Sequence, residues 1–500
     1  MKMAERIEMR AGLLALVCVA ALQPSLALSA ASAPPDERVN YTLLPGSQLA
    51  DDCPICGRPT FLEPMRGAFQ LRLLHENPLF STYSIERITF TAGTPAGRSY
   101  KITGDGTYTI GGEVALRQET VLNLWIDDGV ANRLCHFTNA DYSPQRQWPM
   151  LKVTLDQTNG TWIQTYHLEI AAAPFRDLWF STQNGFHAGI WQGPTNFVSA
   201  GGLVSWTGHV AKRNQHLTKR LGVMPPAPDL GLDALDVLPG GEIAFSIETD
   251  VFSETLGVLH EGDVLSDRGR VAWSFNDLVS SFNPEPPVND PGLDALRVLG
   301  TNEVYFSVRT DFFSRKLGRT VRRGDLLSSQ GRIVKSNGEL IAAFRPADPS
   351  KDYGLRDVFV WPSGEIWFAT EDGFHDAQFE GYGRGDLLSD HGYVVYRNLD
   401  LLAVFQPLED LADFGLDAVH VFSDAVAPPQ PAFLAGFSAD RVTGSLTFQW
   451  PATNSIVQLE TAGDVTGAWS PCGPITGEIS YQDVGALTNR PQAFYRLRQW

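Results

Sequence analysis

A period of about sixty residues, carried by β-type alternation, constrains this chain more than any other feature. The element "GDLLS" occurs in "RRGDLLSSQGRIV" (Arg322 to Val334) and "GRGDLLSDHGYVV" (Gly383 to Val395), with a near copy in "EGDVLSDRGRV" from Glu261. Its glycine falls at Gly262, Gly324 and Gly385, in steps of 62 and 61 residues, and a further step of 61 back reaches Gly201. There "GGLVSWTGHVAKRNQHLTKRL" aligns without a gap on "GDLLSDHGYVVYRNLDLLAVF". This degenerate copy keeps Ser205, Gly208, Arg213, Asn214 and Leu217 but carries Gly202 where the others have Asp263, Asp325 and Asp386. Such a period implies units that bury their apolar faces on one another.

The rest of the unit reads as strand. Upstream of each element stand "DLWFSTQNGF" at Asp177, "EIAFSIETDVF" at Glu242, "EVYFSVRTDFF" at Glu303 and "EIWFATEDGF" at Glu365. Ile243, Phe245 and Ile247 alternate with Ala244 and Ser246, the period of a pleated strand. A third word, "GLDAL" at Gly231 and Gly292, "GLRDV" at Gly354 and "GLDAV" at Gly415, leads into turns such as "VLPGGE". Four short strands per unit are expected, the last at "LLAVF". The order begins with a strand body and ends with GLDAV, as though the last segment completes the first unit. That phase predicts a closed ring, a four-bladed β-propeller over residues 166–423, because a borrowed strand protects sheet edges.

"LDALRVLGTNEVYFSVRTDFF" resembles the Asp-Ala strand and aromatic strand of haemopexin-like four-bladed propellers, over some twenty residues per unit. Arg356-Asp357 departs from that Asp-Ala pattern. The whole GLDAL/GDLLS pattern is similar to that of secreted bacterial repeat proteins, which implies export and modularity and carries no activity.

Residues 34–165 alternate apolar and polar positions around Gly-rich turns, as in "SYKITGDGTYTIGG", and predict a β-sandwich or small barrel. After a Pro-containing linker, 424–432, residues 433–500 resemble fibronectin-like or immunoglobulin-like modules, which implies a terminal β-sandwich acting as spacer or docking piece. The fold class is therefore all-β.

Residues 1–33 hold a basic front (Lys2, Arg6, Arg10), the apolar run "AGLLALVCVAAL" and small residues ending in "SAASA", the order of a secretory signal. The run is too short to span a bilayer, and no later stretch approaches that length. Without these residues, which carry three basic and two acidic groups, the formal charge moves from −18 to −19, disfavouring nucleic acid and anionic lipid as partners. Export also makes Cys53, Cys56, Cys135 and Cys472 disulfide candidates with pairing open. "DDCPICGRP" could alternatively hold zinc with Cys135-His136, or act as a redox pair, but no second CxxC exists.

Asp263, Asp325 and Asp386 offer oxygens suited to Ca²⁺. A short Asp in a turn more often accepts backbone N–H groups, and Gly202 shows the unit can do without it, so the structural role is favoured. GxSxG, HExxH and P-loop signatures are absent from the sequence. His187 and His375 recur in "NGFH" and "DGFH" as related loops, while Trp179, Tyr305 and Trp367 read as core. The expectation is a secreted, extracellular, periplasmic or cell-surface binding or scaffold protein, non-enzymatic and without a cofactor, for an unknown protein or glycan. The rival is a hydrolase acting on extracellular polysaccharide, with carboxylates gathered at one end of the repeats.

Overall fold

The computed structural model describes residues 38–94, 97–191, 196–227, 229–290, 292–300, 303–451, 456–464, 469–488 and 492–500. The signal-like segment 1–33 lies outside them. The chain is all-β, its sheets antiparallel, and no helix among the described residues is long and apolar enough to cross a membrane.

The N-terminal strands are β1 (Arg38–Leu43), β2 (Gln48–Asp52), β3 (Phe61–Glu76), β4 (Phe80–Gly93), β5 (Ser99–Gly111), β6 (Arg117–Asp127), β7 (Asn132–Asn139), β8 (Leu151–Gln157) and β9 (Thr165–Ala173). Strands β3 to β9 pair in chain order. Both β1 and β2 then bridge β9 back to β3, which closes the sheet into a barrel. The alternation seen in sequence decides which side faces in. In β6, Leu122, Leu124 and Ile126 point to the core with Phe69, Phe90 and Phe137. Because β9 belongs to this barrel, the boundary expected at residue 166 moves, and the sheets of the repeats begin at Asp177.

Four four-stranded sheets follow. The second orders Leu235–Leu238, Glu242–Phe245, Val264–Ser266 and Arg270–Trp273; the third and fourth repeat this with equivalent segments. The first sheet lacks its own opening strand, and Val419–Phe422 takes that place, pairing Asp177 with Phe422 and Phe180 with Val419. The end of the series thus seals its start. The opening strands of successive sheets also bond to one another: Asp236 accepts Val298 N–H at 2.7 Å, and Asp357 accepts the N–H groups of Leu296 and Val419.

Two features differ from the sequence expectation. A two-stranded hairpin is inserted between the second and third strands of each unit, such as Val251–Ser253 with Gly257–Leu259. The "LLAVF" segment, Leu401–Phe405, is no strand: it starts in the helical turn Asn398–Leu402 and continues as a turn. Leu401, Leu402 and Phe405 are buried together, a helical spacing, and the equivalent turns start with reciprocal caps, Ser274 with Asp277 and Ser336 with Glu339.

The C-terminal module has a four-stranded and a three-stranded sheet enclosing Phe448, Trp450, Val457, Leu459 and Leu497. Segment 424–432 is no free tether. Buried Arg176 holds Asp424 and Glu460 at 2.7 Å each, Gln430–Ala432 forms an edge strand, and Ile456, Ile475 and Trp500 join a core shared with the first two repeat sheets.

Candidate functional site

The repeated words are first of all joints. Asp263 accepts the N–H groups of His260 (3.1 Å) and Phe275 (2.9 Å), Asp325 those of Arg322 and Asn337, and Asp386 those of Gly383 and Asn398. Each carboxylate therefore fixes its own turn and caps the short helix that follows. Both oxygens of every one already have donors, and Asp386 also holds Arg397 at 2.7 Å. The serine of the same word donates to the acid at the start of the unit's second strand: Ser205 to Asp177, Ser266 to Glu242, Ser328 to Glu303 and Ser389 to Glu365.

A second set of aspartates stands two residues before each GLDAL-type glycine: Asp229, Asp290, Asp352 and Asp413. Each ties two glycines of its unit; Asp413, for example, accepts Gly415 N–H at 2.8 Å and Gly385 N–H at 3.2 Å. The side chain of Asn398 completes this joint by accepting Phe414 N–H and donating to the carbonyls of Gly385 and Gly415, and Asn214 does the same in the first unit. A Cβ on Gly385 would lie 2.2 Å from Asn398 Nδ2 and 2.4 Å from Asp413 Oδ1. That contact is why the Gly of the Gly-Asp word is needed. The spacing of these aspartates was present in the sequence, but their partners lie up to 28 residues away.

At the third position of the GLDAL word a ring of charge gathers: Asp233, Asp294, Arg356 and Asp417, all from opening strands or the turns into them. Arg309 reaches in to Asp233 (2.6 Å), Asp294 (3.2 Å) and Glu261 (2.9 Å). Asp417 lies 3.1 Å from Arg356 Nη1 but without hydrogen-bond alignment. Burial dominates these acids and outweighs the arginines, pushing Asp233 up to about 8 and Asp417 to about 7, with Asp294 and Glu248 raised as well. A second tier three residues on holds Asp236, Arg297, Phe359 and His420. Burial alone would raise Asp236, yet Arg297 at 2.6 Å and His420 at 3.0 Å hold it below its ordinary value. The cluster can keep protons near neutral pH, but its carboxylates are sealed: Asp233, Asp294 and Asp417 are at most 1% exposed.

Other acidic pairs and the cysteines are dispersed. Asp128 closes a turn onto Val130, Ala131 and Arg133, while Glu371 and Asp372 hold Arg323. Cys53 and Cys56 form a disulfide, which removes the CxxC thiols from any zinc set. Cys135 is buried in the barrel core, and Cys472 donates to Asp483. Asp250, His260 and Asp290 bring three ligand atoms within 4.8 Å of one another, but both Asp290 oxygens already accept glycine N–H groups. Trp179 and Trp367 are fully buried and Tyr305 partly so.

The inserted hairpins show what faces solvent. His187, Phe252, Phe313 and His375 occupy the same register position in the four units, one ring each, and all are exposed. Phe252 is 55% and Phe313 42% exposed. The ring of His187 lies tilted against exposed Phe197, centroids 4.9 Å apart, and bonds Glu409 at 2.7 Å. The sequence signal was the recurrence of "NGFH" and "DGFH" opposite "TDVF" and "TDFF".

No family model matches this sequence, and no curated protein matches it. Among solved structures, the chain is similar to the extracellular domain of a protein described as a one-component system from B. thetaiotaomicron. That similarity has 9% identity, covers 83% of this chain and 65% of the other, just under two thirds of its length, and has a TM-score of 0.11. At that TM-score it carries no argument about fold or function.

Proposed function

We propose that this is a secreted or cell-surface binding or scaffold protein, non-enzymatic, whose four-sheet ring is a propeller presenting one exposed aromatic ring per unit to a protein or glycan partner. The observation that carries the reading is the fourfold placement of His187, Phe252, Phe313 and His375. These rings leave a large part of their surface uncovered at a repeated register, and rigid aromatic side chains dominate recognition of partners. The clefts on the repeats support it too. Their carboxylates, Asp325 with Asp352 and Asp386 with Asp413, are all bonded to backbone N–H groups, which leaves no free acid and base for a glycosidase pair. The sealed axial acids support it as well, since a polymer has no access to them. Export rests on segment 1–33.

The test is a glycan and protein-partner array probed with the mature chain, with and without calcium, beside an assay for polysaccharide breakdown. A partner bound by the parent and lost in a Phe252→Ala/Phe313→Ala variant is the expected result. Polymer degradation with no partner would replace the scaffold reading with the hydrolase.

A further inference from the structure

A cleft of about 480 Å³ opens in the third unit, between the hairpin strand Arg319–Val321 and the helical turn capped by Ser336. Three cations line it, Arg319, Arg322 and Lys351, all exposed. The fourth unit has a cleft at the equivalent place, but there Glu380, Gly383 and Ala412 take the positions of the three cations; the second unit has Gly257, His260 and Asn289. The charge reversal runs through the whole unit. Residues 309–356 carry eleven basic and five acidic side chains, and the equivalent residues 247–294 carry two and ten, so the excess is local to the third unit of an acidic chain. Lys351 is shared with Asp372 at 3.3 Å. The guanidinium groups of Arg319 and Arg322 have no hydrogen-bond or ion-pair partner among the described residues. Asp325 and Asp352, the acids of the same lining, have their oxygens on backbone N–H groups.

A guanidinium presents a planar fork of donors that matches the oxygens of a carboxylate or sulfate. Apart from Pro349 the lining is polar or glycine, which offers no pocket for an apolar side chain and suits a hydroxylated ligand. Thr320 of the lining pairs in register with exposed Phe313, so that ring stands on the same face of the hairpin, beside the cleft, where the flat side of a sugar would meet it. We infer that the third unit's cleft binds an acidic oligosaccharide, whose carboxylate or sulfate groups are taken by Arg319 and Arg322. This deepens the binding reading given above and rests on it. Charges are screened beyond about 8 Å at physiological salt, so the acids of the second unit do not cancel contacts made inside the cleft. A long polyanion would have to run over those acids, and the ligand is therefore a short chain or a chain end.

The test is calorimetric titration of the mature chain with hexagalacturonate, charged by carboxylates, and with a κ-carrageenan hexasaccharide, charged by sulfates. Maltohexaose serves as the neutral sugar and hexaglutamate as an acidic peptide, and the series is repeated on Arg319→Gln/Arg322→Gln and on Arg345→Gln. At least one acidic sugar is expected to bind saturably, and which of the two binds tells carboxylate from sulfate. The double variant is expected to melt with the parent, having lost no internal partner, while its affinity for that sugar falls tenfold or more. Arg345 is exposed in the same unit but outside the cleft, and Arg345→Gln is expected to bind as the parent does. The proposal is overturned if neither acidic sugar binds up to millimolar concentration, if maltohexaose or hexaglutamate binds as tightly, if the double variant binds like the parent, or if Arg345→Gln loses as much as the double variant. Breakdown of either sugar would overturn it together with the binding reading. A partner lost in Phe252→Ala/Phe313→Ala, with no acidic sugar bound, would overturn the cleft alone.

Discussion

Asp177 should make the fold less stable as pH rises, and the size of the effect can be worked from its surroundings. It opens the strand that receives the closing segment, is 3% exposed, and meets only neutral donors: Ser205 Oγ, its neighbour's Leu178 N–H and Trp179 Nε1. Its counterparts Glu242 and Glu303 have Arg270 and Arg332 instead. Burial therefore wins over the donors and pushes the Asp177 carboxyl from 3.8 to about 7. Between those two values the folded chain keeps a proton that the unfolded chain has released, so stability falls as pH rises through this window. Each tenfold change in proton affinity is worth about 1.4 kcal/mol, which puts the whole effect on the order of 4 kcal/mol, with about 2 kcal/mol of it between pH 5 and 7. Asp177→Asn cannot ionise. It sacrifices chiefly the long 3.3 Å Trp179 contact, a loss that is the same at both pH values. Denaturant unfolding at pH 5 and pH 8 should show the parent losing about 2–3 kcal/mol of stability that the variant retains. Asp233 and Asp417 contribute with the same sign. His420, whose pKa burial lowers, contributes with the opposite sign below about pH 6.5, and all three are common to both proteins. Parallel pH profiles for parent and variant would refute the reasoning.

Asn398→Ala should cost about 3 kcal/mol or more, because it strands one buried N–H and two buried carbonyls; chemical denaturation would measure this, and a loss below about 1 kcal/mol would contradict the joint. Phe422→Ala should cost about 3–5 kcal/mol, since the ring packs on Trp179 at 4.7 Å and on Trp500 at 5.9 Å. Hydrogen exchange in that variant should show Asp177–Phe180 and Val419–Phe422 losing protection together, as the two halves of one seal.

How much of this was legible depends on the distance over which each signal acts. The alternation around Ile243, Phe245 and Ile247 is local and gives the strand directly. The borrowed strand was legible from phase alone, since an ordered series of words with an orphan at each end has a natural partner for the last. The helical turn at Asn398–Leu402 was misread because five residues give too short a window to tell a helical period from an apolar run. The basic cleft was not legible at all. Its walls come from segments 319–325, 336–338 and 349–352, brought together only by how the third unit folds.

The imperfect third word, "GLRDV", shows why such a repeat cannot be copied without change. Four strictly identical units would put four aspartates around the ring at the third GLDAL position, all nearly unexposed, and like charges at such distances in a poorly solvated interior repel by several kcal/mol. Arg356 replaces one of them, Arg309 enters from the turn after Glu303–Ser307 to touch two others, and protonation relieves the remaining excess, in line with the raised values of Asp233 and Asp417. The displaced acid is not wasted: one residue later, Asp357 turns inward and accepts the N–H groups that link its strand to both flanking units. The same logic governs the second tier, where Arg297 answers Asp236. Departure from the pattern is thus a requirement of charge on a shared axis. Arg356→Asp, which restores the repeat in sequence, should accordingly destabilise the fold, and more at pH 8 than at pH 5; a variant as stable as the parent at both would show that the ring is not held by this balance.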